Sequence, residues 1–306
     1  MSGTIGRFAY HRPKSLEQAL SLLQRYGDKS AILAGGTDLL VELKRGLRRP
    51  SQVIDVKEIR ELTCLEKTSD GELRLGALVN LQGLSSAGVL QGGWNLLAQA
   101  ASKVGSWQVR NRGTLGGNIC HASPSGDTLS PLLCLEAKLN MVSPRGKRTM
   151  AIEDFFLGPG ETALESEELL TEVILPRLPD GAKGVYKKFS LRRAMDLAMV
   201  GVAVLAWGGP DARRFDGVRI GLGAVGPKPI RARRAEEALK GVEITKAVLG
   251  KAADLAVEET TPISDVRGAD WYRREMTKHL VEEGFREILE FNRPDSGEGN
   301  NARHSG

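Results

Sequence analysis

Two glycine pairs set among hydroxyl and amide residues are the groups in this 306-residue chain best suited to binding chemistry. The later pair lies in the stretch from Arg110 to Leu139, RNRGTLGGNICHASPSGDTLSPLLCLEAKL, where Thr114 precedes Gly116, Gly117 and Asn118, and Ser123 and Asp127 follow. The earlier pair lies in AILAGGTDLL, from Ala31 to Leu40, where an apolar, strand-like run enters Gly35-Gly36-Thr37-Asp38 and then an apolar segment. Adjacent glycines let successive backbone N–H groups turn toward one anion, and a chain without Cβ atoms can approach a pyrophosphate closely. A strand, a glycine turn and a helix start add dipoles of the same sense. A carboxylate such as Asp127 suits ribose hydroxyls and repels phosphate. The alternative for either stretch is an ordinary turn-rich loop between buried segments.

Taken together and in this order, AGGTDLL and RNRGTLGGNI…ASPSGDTLSPLL resemble the flavin subunits of the molybdenum hydroxylases, the family of xanthine and carbon monoxide dehydrogenases. The opening FAYHRPKSLEQALSLL, the block KFSLRRAMDLAMVGVAV and the late SDVRGADWYRRE also resemble that family, so the likeness runs from about Phe8 to Glu290. It implies an α+β fold: a two-subdomain FAD-binding domain of the PCMH type, followed by a smaller domain of antiparallel sheet and helices. The implied bounds are 1–178 for the FAD-binding domain, with subdomains near 1–58 and 59–178, and 179–292 for the second domain.

Residue by residue, the resemblance implies backbone contacts from Ile32, Leu33, Ala34, Gly35, Gly36, Thr37, Asp38 and Leu39 to the pyrophosphate and ribityl chain of FAD. It places Thr114, Gly116, Gly117 and Asn118 at the phosphates and Asp127 at the adenosine ribose, and Ser123 and Leu170 complete the cofactor-binding set. Lys188 is implied near the flavin ring, where a cation stabilises negative charge on the reduced ring. Tyr186 matches an aromatic that covers the ring in some members. Read without the family, Lys188 is equally a solvated strand residue and Tyr186 a core edge. Some members carry an aromatic just before the second motif, where this chain has Val104, and either Tyr186 or Trp107 could take that place. The cysteine-rich insertion of the aromatic-thioester reductases has no counterpart here.

The implied activity is electron transfer in an oxidoreductase. Substrate is oxidised on a separate molybdopterin-binding large subunit, an iron–sulfur (2Fe–2S) subunit relays the electrons, and this chain passes them to NAD or another acceptor. No catalytic side chain and no metal ligand is required of it. Two alternatives stay open: a self-sufficient FAD-dependent oxidoreductase on the same fold, and a flavin-free scaffold.

The elements that must position these groups are legible in outline. Ser15 suits the N-cap of a helix carrying Leu16, Ala19, Leu20 and Leu23 and ending near Gly27. Strands at Ala31 to Ala34 and within Ser51 to Ile59 flank a helix after Thr37, a β-α-β unit around the first glycine pair. Short strands turn at Ser69-Asp70-Gly71, a helix runs from Trp94 to Val104 and stops at Gly105, and the Arg110 stretch reads as a loop. Glu167 to Pro176 reads as a closing strand of the first domain. Three antiparallel strands and helices near 235–239, 247–259 and 269–290 follow, with a polar, disordered tail from Arg293.

Two lures are set aside. Gly221, Gly223 and Gly226 satisfy GxGxxG, but Pro227 and Pro229 follow where a dinucleotide fingerprint needs a helix, so this is a strand with close packing or a bulge. Cys120 and His121 are adjacent, and neighbouring side chains on a loop seldom converge, so His121 is structural or shapes the ligand site. Composition narrows the classes further. Three scattered cysteines without CxxC spacing point to a reducing compartment and away from a cluster or zinc held by this chain. A net charge of +5 without aromatic interleaving among the arginines argues against nucleic acid. No signal-like segment or membrane-length apolar run is present, so the expected location is cytoplasmic.

Overall fold

The structure, a computed structural model, describes residues 5–192, 194–208 and 214–290. The tail expected from Arg293, and Arg193 of the double-arginine block, lie outside the described residues.

The chain opens with β1 (Ala9–His11), α1 (Leu16–Tyr26), β2 (Ser30–Leu33), α2 (Leu39–Arg45) and β3 (Gln52–Asp55). Ser15 caps α1 by accepting the Gln18 N–H at 3.3 Å, and Gly27 ends it at φ +47°. The three strands form a parallel sheet in the order β1-β3-β2. Strand periodicity then decides which helix covers which face. Val53 packs with Ala31, Leu33, Leu39 and Leu43 under α2, while its neighbour Ile54 packs with Ala19 and Leu23 of α1 on the other side. The first glycine pair sits between β2 and α2, at the carboxyl end of the parallel sheet, where ligand crevices of α/β units lie.

The second unit holds β4 (Leu65–Lys67), β5 (Leu73–Gly76), α3 (Leu81–Ser85), α4 (Asn95–Lys103), α5 (Trp107–Arg110), α6 (Leu115–His121) and α7 (Leu129–Cys134). Then come β6 (Lys138–Ser143), β7 (Gly146–Ala151), α8 (Ile152–Phe155), β8 (Phe156–Gly158), β9 (Glu161–Thr162) and β10 (Leu169–Leu175). Its main sheet is antiparallel in the order β4-β5-β10-β6-β7. Strand β10, read from the sequence as a closing strand, stands in the middle. Leu169, Leu170, Val173 and Leu175 are all buried, and apolar groups on both faces suit an interior strand better than an edge. The Arg110 stretch, read as a loop, contains two short helices, α6 and α7. Two glycines in the first turn of α6 weaken its helix propensity, and burial of Leu115 and Ile119 offsets that.

The last unit is an antiparallel sheet of β11 (Lys183–Phe189), β12 (Val200–Trp207), β13 (Gly217–Gly223) and the short β14 (Ile230–Arg231), with α9 (Arg233–Leu239), α10 (Lys246–Glu258) and α11 (Asp270–Glu290). Val200, Val202 and Val204 of β12 and Ile220 and Leu222 of β13 pack on these helices. The alternate residues turn the other way: Ala203 and Leu205 of β12, with Tyr186 of β11, join the core of the second unit. Gly221 lies so close to α7 that a β-carbon there would sit 2.3 Å from the Ser130 carbonyl oxygen. The GLGAVG stretch is therefore a strand with a close helix contact.

Candidate functional site

One cavity of about 650 Å3 brings the two glycine motifs together, within the range usual for cofactor sites. Of the residues implied as cofactor ligands, all except Leu33, Tyr186 and Lys188 line it. Leu33 points into the small core beneath α2.

The two motifs do different work. In the first, Gly36 adopts φ +77°, which turns the chain between β2 and α2. Among the described residues, the successive backbone N–H groups of Gly35, Gly36, Thr37 and Asp38 take no protein partner. These are the donors a phosphate requires. In the second motif the corresponding donors are already engaged. Leu115 N–H bonds the Val79 carbonyl at 2.9 Å, Gly116 N–H the Ala77 carbonyl at 2.9 Å, and Gly117 N–H the Thr114 hydroxyl at 3.0 Å. Gly116 is glycine because a β-carbon would stand 2.8 Å from the Ala77 carbonyl oxygen. Its implied backbone contact with phosphate is not what the geometry provides; it packs α6 against the segment after β5, and α6 offers the cavity Gly117, Asn118 and the Thr114 cap. The first motif thus contributes a row of donors and the second a shaped wall.

Beyond the helix, Ala122 in a left-handed conformation ends α6, and the chain runs through Ser123 and Pro124 to Asp127. Asn118 Oδ1 accepts the Thr128 hydroxyl at 2.6 Å, which fixes this loop to the helix. Asp127 lines the cavity, yet its carboxylate is held from behind: Oδ1 accepts the Tyr186 hydroxyl at 2.7 Å and Oδ2 accepts Lys188 Nζ at 2.8 Å. Burial pushes the Asp127 carboxyl up, against the opposing pull of Lys188, and pushes the Tyr186 phenol well above its ordinary value. Tyr186 and Lys188 thus depart from their implied places. The Tyr186 ring is 4% exposed within the core, the Lys188 side chain is 7% exposed, and neither reaches the cavity. Val104 lines the cavity where some members have an aromatic, and Trp107 stands 62% exposed without lining it.

Sequence reasoning missed several parts of the wall, and two of them carry charged side chains with evident partners. The loop between β11 and β12 contributes Met195, Asp196 and Leu197. The signal was available, since this loop lies inside the KFSLRRAMDLAMVGVAV block, of which the resemblance implies only Lys188 as a site residue. The other part is Glu168 just before β10, whose carboxylate takes both Nε and Nη2 of Arg148 at 2.5 and 2.6 Å. That guanidinium holds the Glu168 carboxyl below its ordinary value. His121 also lines the cavity, its ring nitrogens 3.7 Å from carboxylate oxygens of Asp38 and Glu42, which brings the end of α6 beside the first motif.

Residues 6–178 match the family described as the FAD binding domain in molybdopterin dehydrogenase, and residues 185–288 match the CO dehydrogenase flavoprotein C-terminal domain. The chain belongs to the FAD-binding medium subunits of the molybdenum hydroxylase family. It is 34% identical to the carbon monoxide dehydrogenase medium chain of Hydrogenophaga pseudoflava over 90% of this chain and 94% of that one. It is 32% identical to the xanthine dehydrogenase FAD-binding subunit of Escherichia coli O157:H7 over 90% and 95% of the two chains. Among solved structures, a form of the Hydrogenophaga pseudoflava carbon monoxide dehydrogenase lacking the Mo-pyranopterin moiety superposes with a TM-score of 0.89 at 33% identity, covering 94% of this chain and 99% of that one. As a medium subunit of this family the chain is an oxidoreductase flavoprotein whose cofactor is FAD. The cavity fits that cofactor: an unpartnered donor row suits the pyrophosphate, and a carboxylate at Asp127 suits a ribose.

Proposed function

We propose that this chain is the flavin electron-transfer subunit of a cytoplasmic heterotrimer. A molybdopterin-binding large subunit oxidises the substrate, a 2Fe–2S subunit relays the electrons, and this subunit delivers them to NAD or another external acceptor. The observation that carries the reading is the donor row at Gly35 to Asp38 facing a cavity that the second glycine motif closes, within a match spanning nine-tenths of the chain. The relatives it matches are named as medium chains and FAD-binding subunits, which supports the assembly with larger and smaller partners.

Bound FAD supplies a carrier that takes electrons singly and gives them up in pairs. The chain's own part is to bind, orient and shield. Backbone N–H groups of Gly35 to Asp38 hold the diphosphate, so the anion is fixed by backbone geometry. Gly117 lets the cofactor approach α6, and Asp127, held from behind, presents its outer edge to a ribose. Met195 and Leu197 place apolar groups against the cavity on the side of the last unit and exclude water there.

The test is a pair of preparations. The chain purified alone should release FAD on denaturation and should oxidise no substrate of the complex, and turnover should appear when the two partner subunits are added. Release of the mononucleotide or of no flavin would overturn the cofactor assignment. Substrate turnover by the single chain at the rate of the complex would establish a self-sufficient flavoenzyme instead.

A further inference from the structure

Lys188 donates to Asp127 Oδ2 at 2.8 Å, to the Asp196 carbonyl at 2.9 Å and to the Lys103 carbonyl at 3.0 Å. An ammonium group has three N–H donors, and these acceptors use all of them. Each acceptor belongs to a different part of the cavity wall. Asp127 lies in the loop after α6, Asp196 in the loop between β11 and β12, and Lys103 at the end of α4, just ahead of the wall residues Val104 and Gly105. The loop between β11 and β12 folds largely on itself, with Asp196 accepting the N–H groups of Arg192 and Leu197. Among the described residues, its polar ties to the first two units are the bond from Met195 N–H to the Gly105 carbonyl at 3.0 Å and the bridge through Lys188. Met195 holds this loop in a left-handed conformation at φ +54°, and its apolar residues Leu191, Met195 and Leu197 are exposed, the last two along the open cavity.

We propose that Lys188 is a positioning residue that pins these three segments into one wall of the cofactor cavity, and that it acts on cofactor retention instead of on the flavin ring directly. The proposal rests on FAD occupying this cavity. A buried ammonium bonded to one carboxylate and two carbonyls from distant segments fixes their spacing as no single backbone bond does, and removing it leaves a buried carboxylate without its cation. Lys188→Met should then loosen the loop between β11 and β12 while leaving the ring's electrostatics nearly unchanged.

The experiment compares the wild-type full chain with Lys188→Met and with the double variant Lys188→Met/Asp127→Asn. The double variant leaves no uncompensated buried charge, which keeps the question answerable where the single variant folds poorly. Amide hydrogen exchange of residues 190–199 is read against the central strand β10 in the flavin-free chains, and FAD affinity and midpoint potential are read in the loaded ones. Exchange in 190–199 should accelerate by on the order of tenfold or more in both variants. In Lys188→Met FAD affinity should fall by a comparable factor, and the midpoint potential should stay at the wild-type value. Unchanged exchange in the double variant would overturn the pin. Wild-type affinity with a lowered potential in Lys188→Met would also overturn it, because the cation would then act on the ring. Absence of FAD from the wild-type chain would overturn the cofactor reading and not the pin, which the exchange measurement reads without ligand.

Discussion

The backbone of Gly35 runs so close to Arg112 that a β-carbon at Gly35 would stand 2.2 Å from the Arg112 carbonyl oxygen. The first glycine motif is thereby pressed directly against the residues that lead into the second. Gly35→Val should separate the two sides of the cavity, with loss of bound FAD and destabilisation of about 3 kcal/mol or more. Gly116→Val should do the same through its contact with Ala77. Gly223→Ala should keep both FAD and stability, since the nearest atom to a β-carbon there is Ser130 Oγ at 3.5 Å. Flavin-to-protein ratios and thermal melting of the three variants decide the matter, and cofactor loss confined to Gly223→Ala would reverse it.

Thr114 caps α6 by accepting the Gly117 N–H. Thr114→Ala should cost about 1 kcal/mol of stability and weaken FAD binding, because the freed first turn frays beside the cavity. Thr114→Ser should restore both. Denaturant midpoints together with flavin titrations provide the check.

Tyr186→Phe separates a core role from a ring-covering role. The phenol hydroxyl donates to buried Asp127, so its removal should cost about 1–3 kcal/mol. The bound-flavin absorption spectrum should keep its shape because the ring does not reach the cavity. A changed flavin band with unaltered stability would place the ring against the cofactor.

The pair Arg148–Glu168 gives an acid dependence. Because Arg148 holds the folded Glu168 carboxyl below its ordinary value near 4.5, the pair's stabilisation is fully present above that value. It is lost as pH falls through the lower folded value. Glu168→Gln should melt earlier than wild type at pH 7, by a difference of about 1 kcal/mol, and the gap should close as pH drops below about 4.5. Melting curves of both proteins across this range read the gap directly, and a gap that widened toward acid would contradict the assignment.

Burial pushes the thiols of Cys120 and Cys134 up to about 12. Thiolate is the reactive form, so at pH 8 both should alkylate about a hundredfold or more slowly than in the unfolded chain. Mass spectrometry of labelled peptides, native against denatured, measures the ratio. Rapid labelling of Cys120, which is partly exposed on the cavity wall, with Cys134 still slow, would show that reagent reaches it through the cavity without unfolding.

The parallel β-α-β unit was legible in the sequence because its signals are local. Ser15 announces the cap of α1, Gly27 its end, and the apolar alternation within Ser51 to Ile59 a strand, whose coverage on both faces only the packed structure shows. The order of the two glycine motifs likewise marked the two walls of one site. Local pattern failed where long-range packing decides. The stretch holding α6 reads as a loop because glycine lowers helix propensity, and only the burial of Leu115 and Ile119 makes it a helix. The glycines themselves look alike in sequence. Gly36 turns the chain and sits in a row of unpartnered donors, whereas Gly35, Gly116 and Gly221 are glycine because distant backbone passes within contact distance, and that distance exists only once the units have docked. The same holds for Lys188, one cation among many in the sequence. Its partners Lys103, Asp127 and Asp196 come from three separate segments, and only the tertiary structure brings their oxygens to one nitrogen.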